Sequence, residues 1–254
     1  MIKNIITLGL ASIILLSCEE KIVDESPEMP DAIEAPSIEL EVKNKPVLFN
    51  YTSTGCPGCG SWGAPTFEAI ANREKDAVVP MAIHIKYGDP MISDVSNTIA
   101  SNRTGQFFTP QIWVNNTNGV ILSGDSISIA ASVDKMNDDI EAFINNAPEI
   151  LVGTSSIIND DKIYIRYKTK AKQYLIGDYY VGVYLLENKI YAKQNSGSQD
   201  PFEHNYVIRT SNSGGFGTML SADHLEIETE MDRQIEVNIL PEWKKENLFA
   251  AVIV

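Results

Sequence analysis

Cysteine is scarce in this chain, with three in 254 residues: Cys18, Cys56 and Cys59. The last two are separated by only two residues, and a bridge closing so small a loop constrains little of the unfolded chain, so a disulfide-stapled scaffold is excluded. Basic residues are also few, 20 Lys and Arg against 34 Asp and Glu, for a formal charge of −14. So acidic a chain repels phosphate backbones, which removes nucleic acid from its partners. Histidine occurs three times, as the scattered His84, His204 and His224. With no further free thiol, a structural zinc site lacks ligands. Nor does the apolar run from Ile5 to Leu16, interrupted by Thr7, Gly9 and Ser12, reach the length of a mature membrane-crossing helix.

That run is nonetheless the first feature present. Lys3 precedes it and Leu15-Leu16-Ser17-Cys18 closes it, a pattern that resembles the lipobox of bacterial lipoprotein precursors. The resemblance implies cleavage before Cys18 and acylation of its thiol, anchoring the chain to a membrane. An ordinary secretory signal with an unrelated cysteine is the alternative, and on either reading the body is exported. Cleavage would remove Lys3 and no acid, taking the charge from −14 to −15. The stretch behind Cys18, to about residue 37, is rich in Pro, Glu, Asp and Ser, lacks aromatics, and reads as a disordered tether. Its leading Glu19-Glu20 resembles the signal that sends some Bacteroidetes lipoproteins to the cell surface, although a solvated linker needs no such role. The expected division is a signal peptide over 1–17, an acidic tether over 18–39, and two domains over 40–148 and 149–254.

Pro46 to Tyr51 is a short apolar segment of the kind that forms a buried strand. A helical pattern from about Trp62 to Lys75 follows, then a second strand from Val78 to Ile85 and a helix from Asp94 to Arg103. Gln111 to Val114 and Val120 to Leu122 read as a hairpin across Asn115 to Gly119, and a helix from about Ser132 to Asn145 stops before Pro148. Beyond Pro148 the period changes to two. Leu151–Ile158, Lys162–Thr169, Tyr179–Leu186, Asn205–Thr210, Leu225–Glu230, Gln234–Leu240 and Leu248–Val254 predict strands of an antiparallel sandwich.

Cys56-Pro57-Gly58-Cys59 stands where the first strand gives way to a helix. The thiolate is the attacking species in disulfide exchange, and the free N–H groups and dipole of a helix start favour it. The spacing lets Cys59 reach back to resolve a mixed disulfide on Cys56. Pro57 suits a first turn, having no N–H to leave unpaired. Thiolates and imidazole also suit Cu(I), so a copper site of Cys56, Cys59 and His84 is the other arrangement these residue types permit. No cofactor is implied. His204 reads as a structural hydrogen-bonder with no second histidine nearby, Asp89 as a solvated charge, and Phe107-Phe108 as either core or a substrate-facing rim.

The segment Val47 to Pro65 resembles thioredoxin: an apolar strand, C-P-G-C at a helix start, and a proline that kinks the helix. The resemblance implies that Thr109-Pro110 is a cis bond beside the cysteines and that its backbone docks substrate. The chain departs from the pattern in three places. Asn50 replaces a buried aspartate that aids the resolving cysteine, Gly55 replaces a tryptophan, and Pro65 comes one residue late. In the second half, Gly182 to Asn188, Gln194-Asn195-Ser196-Gly197 and His204 to Arg209 resemble the outer-membrane-protein-28-related lipoproteins of Bacteroidetes. Together the resemblances imply an α/β thioredoxin-like domain followed by an all-β antiparallel sandwich. They also imply a lipid-anchored envelope protein acting on thiols or disulfides of exported proteins, with Cys56 and Cys59 as the reacting pair. The rival is a non-catalytic outer-membrane protein whose scaffold binds a protein or glycan.

Overall fold

Pro46 leads into β1 (Val47–Thr52), which is buried except at the partly buried Phe49 in a computed structural model that describes residues 33–73, 76–86, 88–120 and 125–254. Cys18, the signal-like segment and most of the expected tether lie outside the described residues, as do Lys75 and Ile121-Leu122. After β1 come a π-helical turn (Cys59–Gly63), α1 (Ala64–Arg73), β2 (Val79–His84), α2 (Asp94–Ser101), β3 (Gln111–Val114), β4 (Thr117–Asn118) and α3 (Ser126–Ile144). The β3–β4 turn is tighter than expected because Asn115 accepts the left-handed backbone it needs, at φ 52°. Asp125 caps α3 by accepting the Ser128 N–H, so that helix starts six residues before the expected Ser132.

The remaining strands are β5 (Ile150–Asn159), β6 (Lys162–Ala171), β7 (Leu175–Ile176), β8 (Tyr179–Glu187), β9 (Ile190–Ala192), β10 (Phe202–His204), β11 (Val207–Ser211), β12 (Thr218–Ser221), β13 (His224–Leu225), β14 (Glu230–Asn238) and β15 (Leu248–Ile253). The alternation of β6 is complete: every second residue from Ile163 to Ala171 is buried, and cations fill most of the positions between. On the exposed side Arg166 forks onto Asp232 at 2.8 and 3.0 Å, and Lys170 pairs with Glu228 and Glu230. Such surface pairs set the register of β6 against β14 more than they stabilise it.

Strand pairing overturns the expected architecture of an α/β thioredoxin-like domain followed by an all-β sandwich. The molecule is mostly β, and its principal sheet has eight strands rather than the four expected for the first half. The order is β12-β8-β11-β2-β1-β3-β4, with β15 on the other edge of β8. Strands from both halves therefore share one mixed sheet. The junction is narrow: Val207 of β11 lies opposite Ala82 of β2 in parallel register, and the Ala82 N–H donates to the Tyr206 carbonyl at 2.7 Å. Sequence alternation identifies a strand but not the edge it will join, which is why β8, β11 and β15 were expected in a separate sandwich, while the short β12 was not expected as a strand. Among the described residues, β14-β6-β5 and two short ribbons stand apart from the large sheet.

Three apolar clusters hold these layers. Leu48, Ile112 and Val114 meet Phe67 and Ile70 of α1 and Met136 and Ile140 of α3. Met81, Ile83 and Trp113 pack with Val95 and Ile99 of α2 and with Tyr184, Leu186 and Ile208. Ile163, Ile165 and Tyr167 of β6 cover Val181, Val183 and Leu185 of β8. Each fully buried side chain of this size contributes about 1.5–3 kcal/mol. Successive residues of β8 thus face different clusters, so that strand belongs to two cores at once.

Candidate functional site

The Cys56 loop leaves the end of β1, where two neighbouring cores have fixed the backbone. Cys56 and Cys59 form a disulfide with their Cα atoms 5.2 Å apart. Cys56 is 5% exposed and Cys59 wholly buried, so Cys56 is the less enclosed of the two. The Cys59 N–H points at Cys56 Sγ across 3.2 Å. Once the pair is reduced, that N–H and the helix start behind it favour a thiolate on Cys56. The helix opens with a π turn in which the Ala64 N–H bonds the Cys59 carbonyl. Pro65 has no N–H to return to Ser61, and the wider turn takes up the mismatch.

Thr109 and Pro110 lie where the resemblance put them. Their peptide bond is cis, and the Thr109 carbonyl oxygen is 3.4 Å from Cys56 Sγ. Pro110 presses on the helix start: a Cβ on Gly63 would fall 2.6 Å from Pro110 Cβ, and one on Gly58 would sit 3.2 Å from its Cδ and 3.1 Å from Trp62 Nε1. Phe107 and Phe108 are 62% and 46% exposed, a rim beside the cysteines rather than core. Arg103 ties this loop down. Its Nη1 donates to Gln111 Oε1 at 2.6 Å and to the Phe108 carbonyl at 3.4 Å, and its guanidinium lies 4.3 Å from the centre of the Tyr51 ring. Burial lowers the Arg103 pKa and pushes that of Tyr51 up to about 12, each countered in part by the other.

Below the loop lies a polar cluster that the sequence reading mistook. Asp89, expected as a solvated charge, is buried and accepts the Thr54 N–H at 2.8 Å, the Met91 N–H at 2.9 Å and His84 Nδ1 at 2.9 Å. Burial works to raise its pKa, but the His84 hydrogen bond and charge and the two backbone N–H groups outweigh it, so the carboxyl titrates below its ordinary range. His204, expected without a second histidine nearby, stacks edge-on against His84 with ring centres 5.3 Å apart. Burial first, then His84, pushes His204 down to about 4, with Asp89 and the Ala192 backbone opposing. Among the described residues, His204 Nε2 and Asn50 Oδ1 are buried without a hydrogen-bond partner. Asn50, on β1, thus leaves its oxygen unused. Among the described residues no three His, Cys, Asp or Glu side chains converge in metal-binding geometry.

The roof of the loop comes from the second half, a contribution absent from the sequence reading. The Asn195 N–H donates to the Thr54 carbonyl at 2.8 Å and its Nδ2 to the Gly55 carbonyl at 3.4 Å. Gln194 Nε2 is within 3.1–3.2 Å of the Ser53, Thr54 and Cys56 carbonyls. Polar residues between strands, such as Gln194-Asn195-Ser196-Gly197, carry no periodicity to mark them.

A disulfide so placed can be opened by an external thiolate attacking Cys56 Sγ, with Cys59 leaving. The reverse route begins with a Cys56 thiolate on a substrate disulfide. No family model matches the sequence. No curated protein matches it either. Among solved structures the chain is similar to HBP35 of Porphyromonas gingivalis, with a TM-score of 0.58 at 17% identity, covering 84% of this chain and 70% of that one, a likeness that establishes a shared fold.

Proposed function

We propose that this chain is a thiol–disulfide oxidoreductase of the cell envelope, held to a membrane by lipid on Cys18 and acting on exported proteins. The observation that carries the reading is the asymmetry of the pair: Cys56 keeps slight exposure and is faced by the Cys59 N–H, while Cys59 is wholly buried. In the reducing direction the Cys56 thiolate attacks a substrate disulfide, forming a mixed disulfide and releasing one substrate thiolate. Cys59 then attacks Cys56 Sγ, closing the internal bridge and releasing the second. An external dithiol restores the reduced pair. Thr109 and Pro110 supply backbone beside the sulfur, where an extended substrate segment would dock. The lipobox-like start and the resemblance to outer-membrane-protein-28-related lipoproteins support the envelope location.

The test is capture. Cys59→Ser should accumulate mixed disulfides between Cys56 and exported proteins, and Cys56→Ser should not. If neither variant captures a partner and the purified pair leaves a model disulfide untouched, the bridge is a local brace and the redox reading fails.

A further inference from the structure

We propose that Gln194, in the connection between β9 and β10, is a positioning residue that sets the reactivity of Cys56 by holding the carbonyl groups of its loop, an inference that rests on the redox reading above. The side chain is buried, and its Nε2 has four carbonyl oxygens around it: Cys56 at 3.1 Å, Ser53 and Thr54 at 3.2 Å, and Asn195 at 3.3 Å. This environment fixes the orientation of the amide. Turned over, it would set Oε1 against four acceptors with no proton between them.

The loop is gripped from two sides by groups of opposite character. Asp89 takes the Thr54 N–H on one side, and Gln194 gathers the Thr54 carbonyl with those of Ser53 and Cys56 on the other. The Cys56 N–H is itself spent on the Ser53 carbonyl at 3.1 Å. The Ser53, Thr54 and Cys56 carbonyls of the loop are thereby turned toward an amide donor, while the Cys59 N–H faces Sγ at 3.2 Å and the Thr109 carbonyl stands 3.4 Å from it. Carbonyl oxygens turned toward a sulfur oppose negative charge on it, and N–H groups favour that charge. Gln194 therefore favours the thiolate over the thiol, and the reduced pair over the disulfide, since stabilising the reduced form makes a dithiol couple more oxidising. The residue lies 138 positions along the chain from Cys56, so the β-rich half regulates chemistry located in the other half.

The test replaces Gln194 by Met, which keeps its length without a donor, and by Glu, which sets an acceptor among acceptors. In the full-length reduced protein, the midpoint of the pH profile for Cys56 alkylation should rise by about one unit in Gln194→Met, a roughly tenfold loss of thiolate near neutrality, and further in Gln194→Glu. The equilibrium with glutathione should shift toward the disulfide in both. Gln173→Ala, which removes a surface glutamine bonded to Glu149, should change neither. On the unaltered protein, reduction should move the Gln194 side-chain amide resonances, a readout that needs no variant. Wild-type profiles in a folded Gln194→Met or Gln194→Glu protein, or amide resonances indifferent to reduction, would overturn the proposal. These readouts require no partner protein, so they stand or fall separately from the capture experiment.

Discussion

Gly60 meets the carbonyl oxygen of Asn195 so closely that a Cβ on the glycine would collide with it and lie 2.8 Å from the Gly197 nitrogen. The first turn of the helix that carries Cys59 and the 194–197 loop are therefore in backbone contact. Gly60→Ala should cost about 1–3 kcal/mol, the usual range for overpacking. A denaturant titration of the oxidised protein checks it. An unchanged midpoint would mean that the loop can retreat freely and that the grip on Cys56 is loose.

His204 should make the fold acid-sensitive. Its folded pKa is pushed down to about 4 from an ordinary 6.5, by burial and then by His84, so the unfolded chain takes up a proton that the folded one refuses. The contribution of neutral His204 is complete above about pH 6.5 and declines as pH falls toward 4, for a loss of roughly 3 kcal/mol. Asp89, whose pKa is lowered, adds a further loss only at still lower pH. Unfolding free energies from pH 7 to 4 should slope in the native protein and flatten in His204→Phe. Parallel curves would remove His204 as the cause.

Arg103 should govern the loop carrying the Phe rim. Arg103→Met leaves Gln111 Oε1 and the Phe108 carbonyl without their charged donor and removes the contact with Tyr51, for a loss of about 2–3 kcal/mol. Arg103→Lys should recover little, because an ammonium cannot serve this fork of acceptors and an aromatic face together. Thermal melts of both variants test the pair. Full recovery by lysine would show that charge alone suffices.

If lipid on Cys18 anchors the chain as proposed, Cys18→Ser should release the protein from membranes and abolish incorporation of labelled fatty acid, since an acidic chain offers anionic membranes no attraction of its own. Retention without label would point instead to binding through the folded part.

Much of this was legible in the residues. The continuous apolar run of β1, the period-two pattern of Lys162 to Ala171 and the placement of Cys56 ahead of a helix are all local signals. What remained hidden depends on residues distant in sequence. The single opposition of Val207 and Ala82 merges what read as two sheets, and nothing in either strand's alternation announces it. Asp89 reads as a surface charge because, although Met91 and His84 are close to it in sequence, the Thr54 N–H that ties it beneath the cysteine loop comes from 35 positions away. Gln194 has neither charge nor periodicity. Its identity matters only once four carbonyls surround it.

The shared sheet also has a consequence for the order in which the molecule is made. Ala82 waits for Val207, and Cys56 for Gln194, across more than a hundred residues of chain yet to emerge. A chain appearing from its N-terminus therefore presents both cysteines to its surroundings well before the segment that holds their loop exists. Thiols met in that interval are unshielded and ungoverned, so early oxidation or capture by a helper protein would act on a different chemical object from the finished site.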